Sequence, residues 1–349
     1  MKTERAPPIL DFSAFYGNDA TAKQKLVDDV RQCCLHNGFF QITGHPIPLE
    51  LQEGVMNWNK KFFDLPLEEK SKVSLQTNTW NRGYELLRSQ ILEEGTQPEL
   101  KEGFYVGDDI PKTHPYFVNK RLNSGPNVWP AGLAGVDDFK RTTQAYYYAA
   151  VALAKDILKV LALTLDLPED FFSAYAAGAV ATMRLLHYPP QQSDSDAKLA
   201  RGIGAHTDFG GITILMQDEV DGLQVWDKEV ADWFDVTPIK GAFVVNLGNL
   251  MMRWSNDRYI SNLHRVINRS GKERYSIPFF FSGNPDYVIE CLPNCKREGE
   301  ESKYAPTTVE KAVLGGYSDS YGRAERYKKA QEAQGEKVPV VAAKEVAVA

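Results

Sequence analysis

The sequence predicts a mainly β protein with flanking helices, built on a double-stranded β-helix (jelly-roll, cupin-like) core. Three observations carry that prediction. From Thr182 onward the chain breaks into short apolar runs separated by Gly and Asp turns, with no helical period between them. A His-x-Asp pair, His206 and Asp208, lies between two such runs, and another histidine, His264, follows far downstream. With 349 residues, 43% hydrophobic and 25% charged, the chain is long and apolar enough to bury a full core.

Each element has its own signal. Residues 8–12 read as a short leading strand, and a helix follows over about 21–37, with Leu26, Val30, Cys33 and Cys34 on one side and Gly38 as its stop. Residues 39–42 form a strand. Pro48 opens a second helix in its first turn, where Leu51, Val55, Trp58 and Phe62 recur at helical spacing. The polar and aromatic stretch 78–84 reads as a surface loop or a lid over a pocket, and 103–130, rich in Gly, Pro and aromatics, as mostly loop. Asp137 or Asp138 caps a long helix running to about Leu165, whose apolar face backs the sheet. Strands are then expected at 183–190, 206–216, 222–226, 233–236, 242–247 and 275–281, with a polar loop at 191–200. This divides the chain into a mixed α/β region (1–175) packing on the core, the jelly-roll core (176–321), and a partly helical or disordered C-terminal extension (322–349). Tyr317 and Tyr321 stand ready to close over the site just before that extension.

On a strand, residues two apart share a face, so His206 and Asp208 are expected to point the same way, with His264 completing the cluster. A bare His-x-Asp is a weak signal. Two neutral imidazoles and one carboxylate on one face of an octahedron nevertheless suit Fe(II), and leave three positions for oxygen and a chelating co-substrate. Arg274 and Ser276 again share a face at period two; an arginine fork beside a hydroxyl is what a buried carboxylate needs. Iron ligands and a carboxylate clamp on one sheet imply a bidentate 2-oxo acid on the metal. His36, His45, His114 and His187 stay outside the ligand set, with polar, capping or supporting roles.

Forty Lys and Arg against 46 Asp and Glu give a formal charge of -6, and no basic stripe interleaved with aromatics appears, so nucleic acid is not an expected partner. No apolar run approaches a membrane span, and the N-terminal residues show no signal-peptide pattern. Four cysteines make no disulfide framework and read as free thiols of a reducing, cytoplasmic compartment. Asn268-Arg269-Ser270 fits a glycosylation acceptor but reads as a hairpin turn. The oligomeric state is open.

On these residues the chain resembles the non-haem Fe(II)- and 2-oxoglutarate-dependent dioxygenases of the isopenicillin N synthase-like group, with the fungal thymine 7-hydroxylase type as the nearest pattern. The resemblance runs over about residues 7–320. It rests on 8–12, 37–45, Asn81-Arg82-Gly83-Tyr84, His187-Tyr188-Pro189-Pro190, His206-Thr207-Asp208, 241–250, 261–266 and Arg274-Tyr275-Ser276. It implies that His206, Asp208 and His264 bind iron, and that Arg274, Ser276 and Tyr188 hold the distal carboxylate of 2-oxoglutarate. In one departure, Leu186 stands where many plant members of the group place an asparagine.

The implied reaction consumes O2 and 2-oxoglutarate, releases succinate and CO2, and oxidises a small organic molecule of secondary metabolism by hydroxylation, desaturation, epoxidation, cyclisation or ring rearrangement. Asn81, Arg82, Phe104, Asn246 and Trp254 are candidate substrate contacts, joined by Tyr105 and Arg253. Three alternatives stay open at this level. One is a same-fold Fe(II) oxidase that does not use 2-oxoglutarate, in which Arg274 and Ser276 bind a substrate carboxylate. Another is a non-catalytic small-molecule-binding jelly-roll protein, and the third a structural protein whose histidines only make hydrogen bonds.

Overall fold

The fold is described from a computed structural model over residues 6–190, 201–296 and 299–333, without the side chains of 317–319 and 327–333. Residues 191–200, expected as a polar loop, those beyond 333, expected as part of a C-terminal extension, and the side chain of Tyr317 lie outside the described residues.

Twelve strands build two facing sheets. In chain order they are β1 (Ile9–Asp11), β2 (Phe39–Thr43), β3 (Gly83–Glu85), β4 (Glu102–Gly107), β5 (Val180–Tyr188), β6 (Ile203–His206), β7 (Ile212–Gln217), β8 (Leu223–Asp227), β9 (Asp232–Asp235), β10 (Phe243–Leu247), β11 (His264–Val266) and β12 (Arg274–Gly283). The larger sheet runs β1-β2-β10-β7-β12-β5-β4-β3 and the smaller β6-β11-β8-β9. This is the expected jelly roll. β12 sits mid-sheet, paired antiparallel with β5 on one side and β7 on the other.

Alternation along the strands makes two cores. Inward residues Phe39, Leu186, Tyr188 and Val244 of the larger sheet meet Leu223, Val225 and Val266 of the smaller one. The outward face of the larger sheet packs on helices, through Met183, Leu185, Ile277, Phe279 and Phe281. The helix Ala20–His36 starts at Asp19, whose carboxylate accepts from the backbone N–H of Thr21 (2.8 Å) and Ala22 (3.2 Å). It ends where Gly38, at φ +72°, donates to Cys33 O. A Cβ there would meet Ile260 O at 1.9 Å, so only glycine fits. Cys33, Cys34 and Cys295 are buried, Cys291 half-buried, and all four are free.

Four expectations need correction. Residues 206–216 are not one strand: β6 ends at His206 and β7 starts at Ile212, because Gly210 and Gly211 turn the chain between them. Residues 102–107 are a fully buried strand, since their apolar and aromatic side chains pack on both faces of an inner position. Pro48 stands just before its helix, Leu49–Phe63, as the cap rather than in the first turn. The long helix Val136–Thr164 is capped by Gly135 at φ +79°, not by an aspartate; Asp137 and Asp138 sit in its first turn, where their charge favours the helix dipole. The sheet draws strands from both sides of residue 175, and the C-terminal helix Val309–Ala333 runs unbroken through 322. Among the described residues, no helix is long and apolar enough to cross a membrane.

Candidate active site

β6 and β11 are antiparallel neighbours whose register sets His206 opposite His264, with ring centres 4.2 Å apart. Asp208 is off the strand, so alternation is not what aligns it with His206. The loop after β6 is held instead by the start of the helix Asn249–Trp254: Asn249 N–H donates to Asp208 O (2.8 Å) and Leu250 N–H to Gly210 O (3.1 Å). A Cβ at Gly248 would meet Gly210 O at 2.2 Å, so glycine is required for that approach. Held this way, Asp208 Oδ1 lies 3.7 Å from Nε2 of both histidines. One donor atom from each of the three residues falls within 4.8 Å of the others.

The surroundings orient every donor. Nδ1–H of His206 donates to Gly204 O (2.8 Å) and that of His264 to Asn262 O (3.2 Å), which turns both Nε2 lone pairs toward Asp208. Asp208 Oδ2 accepts from Thr213 Oγ1 (2.6 Å) and Asn246 Nδ2 (2.7 Å), leaving Oδ1 to the histidines. Thr213 and Asn246 are cross-strand partners on β7 and β10, so one rung of the sheet fixes the carboxylate. Burial, then the neighbouring His264, lowers His206 to about 3, which keeps it a neutral ligand at neutral pH. Burial alone would push Asp208 up; His264, His206 and the Asn246 and Thr213 bonds outweigh it and hold the group below its usual range. Two neutral nitrogens and one carboxylate oxygen fit Fe(II).

The second cluster is not on the sheet of the histidines, as the sequence suggested, but on the larger sheet facing it, where β12 pairs with β5 and Arg274 stands opposite Tyr188. Arg274 is fully buried. Its Nη2 donates to Gln217 Oε1 (2.8 Å), its Nε to Val220 O (3.3 Å), and its guanidinium stacks on the Tyr188 ring at 4.8 Å. Its Nη1 is buried without a hydrogen-bond partner. Ser276 Oγ donates to Tyr188 OH (3.3 Å). A buried guanidinium nitrogen lacking an acceptor is costly, and a carboxylate supplies what it lacks. These residues therefore fit the distal end of 2-oxoglutarate.

The candidate substrate contacts divide. Asn246 does reach the site, but its amide grips Asp208 rather than open cavity. Phe104 points outward from β4 into the helix-side core against Phe62, Trp129 and Phe139, because strand parity gives the inward position to Tyr105. Trp254 is also core, packed on Phe172, Tyr175 and Tyr287. Asn81 bonds Asn123, and Arg82 donates to the carbonyls of Trp80 and Asn81 beside a different cavity, lined with Asp108 and His114. Arg253 reaches Ala305 O and stacks on Tyr304. His187 is buried between Glu102 and Glu273, facing away from Tyr188. Tyr321 bonds Glu85 and Tyr105.

Sequence reasoning missed Thr213, Gln217, Gln90 and Arg184. Arg184 was within reach, since it shares the period-two face of Leu186 and Tyr188. Gln90 carries no local signal: it sits in an irregular segment and meets the site only through the tertiary fold. Both line a cavity of about 40 Å3 beside His206 and Asp208, together with Leu92, Phe280 and Val313.

Comparison with known proteins agrees with this geometry. Residues 7–132 match the family described as non-haem dioxygenase in morphine synthesis N-terminal, and residues 179–283 the 2OG-Fe(II) oxygenase superfamily. The chain is 63% identical over 340 residues to a 2-oxoglutarate-Fe(II) type oxidoreductase of Emericella nidulans, covering 97% of each. Among solved structures it is similar to a full-length Neurospora crassa protein in complex with alpha-KG and thymine, at 30% identity and TM-score 0.77, covering 88% of this chain and 95% of that one. It is also similar to JOX2 in complex with 2OG, Fe and JA, at 27% identity and TM-score 0.72, covering 89% and 84%. With both families matched and a relative this close over nearly its whole length, the chain belongs to the non-haem Fe(II)- and 2-oxoglutarate-dependent oxygenases and is an enzyme of that class.

Proposed function

We propose that His206 Nε2, His264 Nε2 and Asp208 Oδ1 hold the Fe(II), and that Arg274, Ser276 and Tyr188 hold the distal carboxylate of 2-oxoglutarate. When bound, the iron supplies oxygen activation coupled to oxidative decarboxylation of 2-oxoglutarate to succinate and CO2. The chain's residues do the rest. Gly204 O and Asn262 O keep the imidazoles in the ligating tautomer, Thr213 and Asn246 fix the carboxylate, and Arg274 sets the depth and direction of the co-substrate. The facing sheets exclude water from the site. The substrate is a small organic molecule of secondary metabolism, oxidised in the cytoplasm by hydroxylation or a related two-electron outcome, without nucleic acid or membrane as partner.

The observation that carries the reading is the buried, unpartnered Nη1 of Arg274, a cation waiting for a carboxylate. It favours a 2-oxo acid co-substrate over a purely structural role for the cluster. The test is a pair of measurements on the purified protein. One equivalent of Fe(II) is expected to bind under argon and to be lost in His206→Ala and His264→Ala, and 2-oxoglutarate is expected to yield succinate in air. Product formed from a metabolite panel without succinate refutes the reaction, and unchanged metal content in the histidine variants refutes the site.

A further inference from the structure

On the outer face of the larger sheet, behind the carboxylate clamp, lies a set of buried charges that the iron and co-substrate chemistry does not use. Register puts Glu102 of β4 opposite His187 of β5, and His187 opposite Tyr275 of β12; the next rung is Tyr188 opposite Arg274. Alternation sends His187 outward where Tyr188 points inward, and Glu273 outward where Arg274 points inward. The clamp rung is also the last of its ladder, since β5 ends at Tyr188, before two prolines, and β12 begins at Arg274. Strand ends fray unless something ties them. Asn268 Nδ2 ties the backbone there, donating to the carbonyls of Tyr188 (3.1 Å) and Lys272 (2.7 Å). His187 adds a tie made of charge.

His187 is 2% exposed, and each ring nitrogen meets a carboxylate: Nδ1 lies 2.8 Å from Glu102 Oε1 and Nε2 2.6 Å from Glu273 Oε2. A neutral imidazole has one N–H and one lone pair, so it serves one carboxylate and turns a lone pair on the other. The imidazolium donates to both. Glu102 is held as a carboxylate by two further donors on its Oε2, Lys70 Nζ (2.8 Å) and Tyr84 OH (2.5 Å). Lys70 and His187 against Glu102 and Glu273 leave no net charge, which is how buried ions are tolerated. The imidazole also packs on Tyr275, with ring centres 4.8 Å apart, and on Phe63 at 5.5 Å, contacts that favour a cation. Beyond these groups, Lys60 and Asp64 approach Tyr275 from the end of the helix Leu49–Phe63, and Asp218 accepts the Tyr275 N–H. Burial alone would lower His187; the bonds to Glu102 and Glu273 outweigh it and raise the group above its ordinary value.

We infer that His187 is a positioning residue for the co-substrate, an inference that rests on the carboxylate clamp proposed above. As an imidazolium bridging β4 and the start of β12, it holds Arg274 and Tyr188 where they receive the distal carboxylate of 2-oxoglutarate. Loss of its proton leaves a lone pair facing one of the two carboxylates. Glu102 stays, held by Lys70 and Tyr84; Glu273, whose side chain is 36% exposed, swings to water, and the start of β12 loosens with it. Co-substrate affinity is therefore high while His187 is charged and falls as pH rises through its titration. Arg274 and both carboxylates of 2-oxoglutarate keep their charges over this range, so they do not produce the change.

The test is calorimetric titration, under argon, of 2-oxoglutarate into the Fe(II)-loaded protein at steps from about pH 6.5 to about pH 9, with metal affinity measured alongside. Wild type is expected to bind 2-oxoglutarate about 10-fold more weakly at the alkaline end. The amide of Glu273→Gln accepts from Nε2–H or donates to its lone pair, so the bridge survives in either state. This variant is expected to match wild type at the acid end and to keep that affinity to the alkaline end. His187→Gln, which serves only one of the two carboxylates, is expected to bind weakly throughout. Fe(II) affinity is expected to stay that of wild type in both. A flat wild-type affinity, or a fall with pH that persists in either variant, overturns the inference. Should His187→Gln fail to bind metal, the Glu273→Gln profile decides by the same criterion. Wild-type protein that binds Fe(II) but takes no 2-oxoglutarate at any pH overturns the clamp and this inference with it, whereas 2-oxoglutarate held equally tightly at every pH overturns this inference alone.

Discussion

Replacing Asn246 with leucine, similar in shape but without a donor, tests how the metal carboxylate is held. Asp208 Oδ2 accepts two short bonds, 2.6 Å from Thr213 and 2.7 Å from Asn246, and both donors are buried. Hydrogen bonds to a charged group are each worth about 1.5–3 kcal/mol. Without the Asn246 bond the carboxylate pivots about Thr213, and Oδ1 leaves the position equidistant from the two Nε2 atoms. The cost is expected to appear in the metal complex, as a 10- to 100-fold loss of affinity, or about 1.4–2.7 kcal/mol. Because Thr213 grips the same oxygen, the double variant Asn246→Leu/Thr213→Val should depart from the sum of the two single losses. The assay is anaerobic calorimetry with Fe(II) on the four proteins. Metal affinity within twofold of wild type in Asn246→Leu would refute the idea that this rung of the sheet orients the ligand.

Other expectations follow from the same contacts. Arg274→Met removes the only described cation of the clamp and should weaken 2-oxoglutarate binding roughly 30-fold to several thousand-fold, equivalent to about 2–5 kcal/mol, with Fe(II) affinity nearly unchanged; titration of both ligands checks this. Burial raises Glu99 from 4.5 to about 7, against the pull of Lys101 and the Gly204 and Leu92 N–H groups. The folded protein thus holds this proton more tightly than the unfolded chain. Its contribution is fully present below about 4.5, is lost as pH rises through about 7, and spans on the order of 3 kcal/mol. Glu99→Gln should flatten that part of the stability–pH curve and raise Tm at pH 8, as denaturation at a series of pH values will show. Trp254→Ala should cost about 3–5 kcal/mol of stability, measured by urea unfolding, while the folded fraction keeps its affinity for metal and 2-oxoglutarate.

Much of the site was legible because strand parity is a local rule. Arg274 and Ser276 share a face, Tyr188 falls opposite Arg274, and the strands carrying them lie close to where apolar alternation placed them. His206 and His264 were found by residue type, and the fold made them direct neighbours. Asp208 was assigned correctly to the cluster for a partly wrong reason. Its position comes from a glycine-lined loop docked on a helix start, a long-range contact that no spacing reveals. The substrate side failed for a related reason. Phe104 and Trp254 were chosen by residue type, yet large aromatics serve packing first, and one step of alternation separates Phe104 in the core from Tyr105 beside Arg184. Asn246 was singled out, but its partner Asp208 is set by the pairing of β10 with β7. The same applies to the strand at 102–107, which glycine and aromatic content disguised as loop although both its faces are covered.

The most direct measurement is a crystal structure grown under argon with Fe(II) and 2-oxoglutarate. The account predicts metal on His206 Nε2, His264 Nε2 and Asp208 Oδ1, with the far carboxylate of 2-oxoglutarate accepting hydrogen bonds from Arg274 Nη1 and Ser276 Oγ. Metal bound elsewhere, or a co-substrate that leaves Arg274 Nη1 unpartnered, would contradict it.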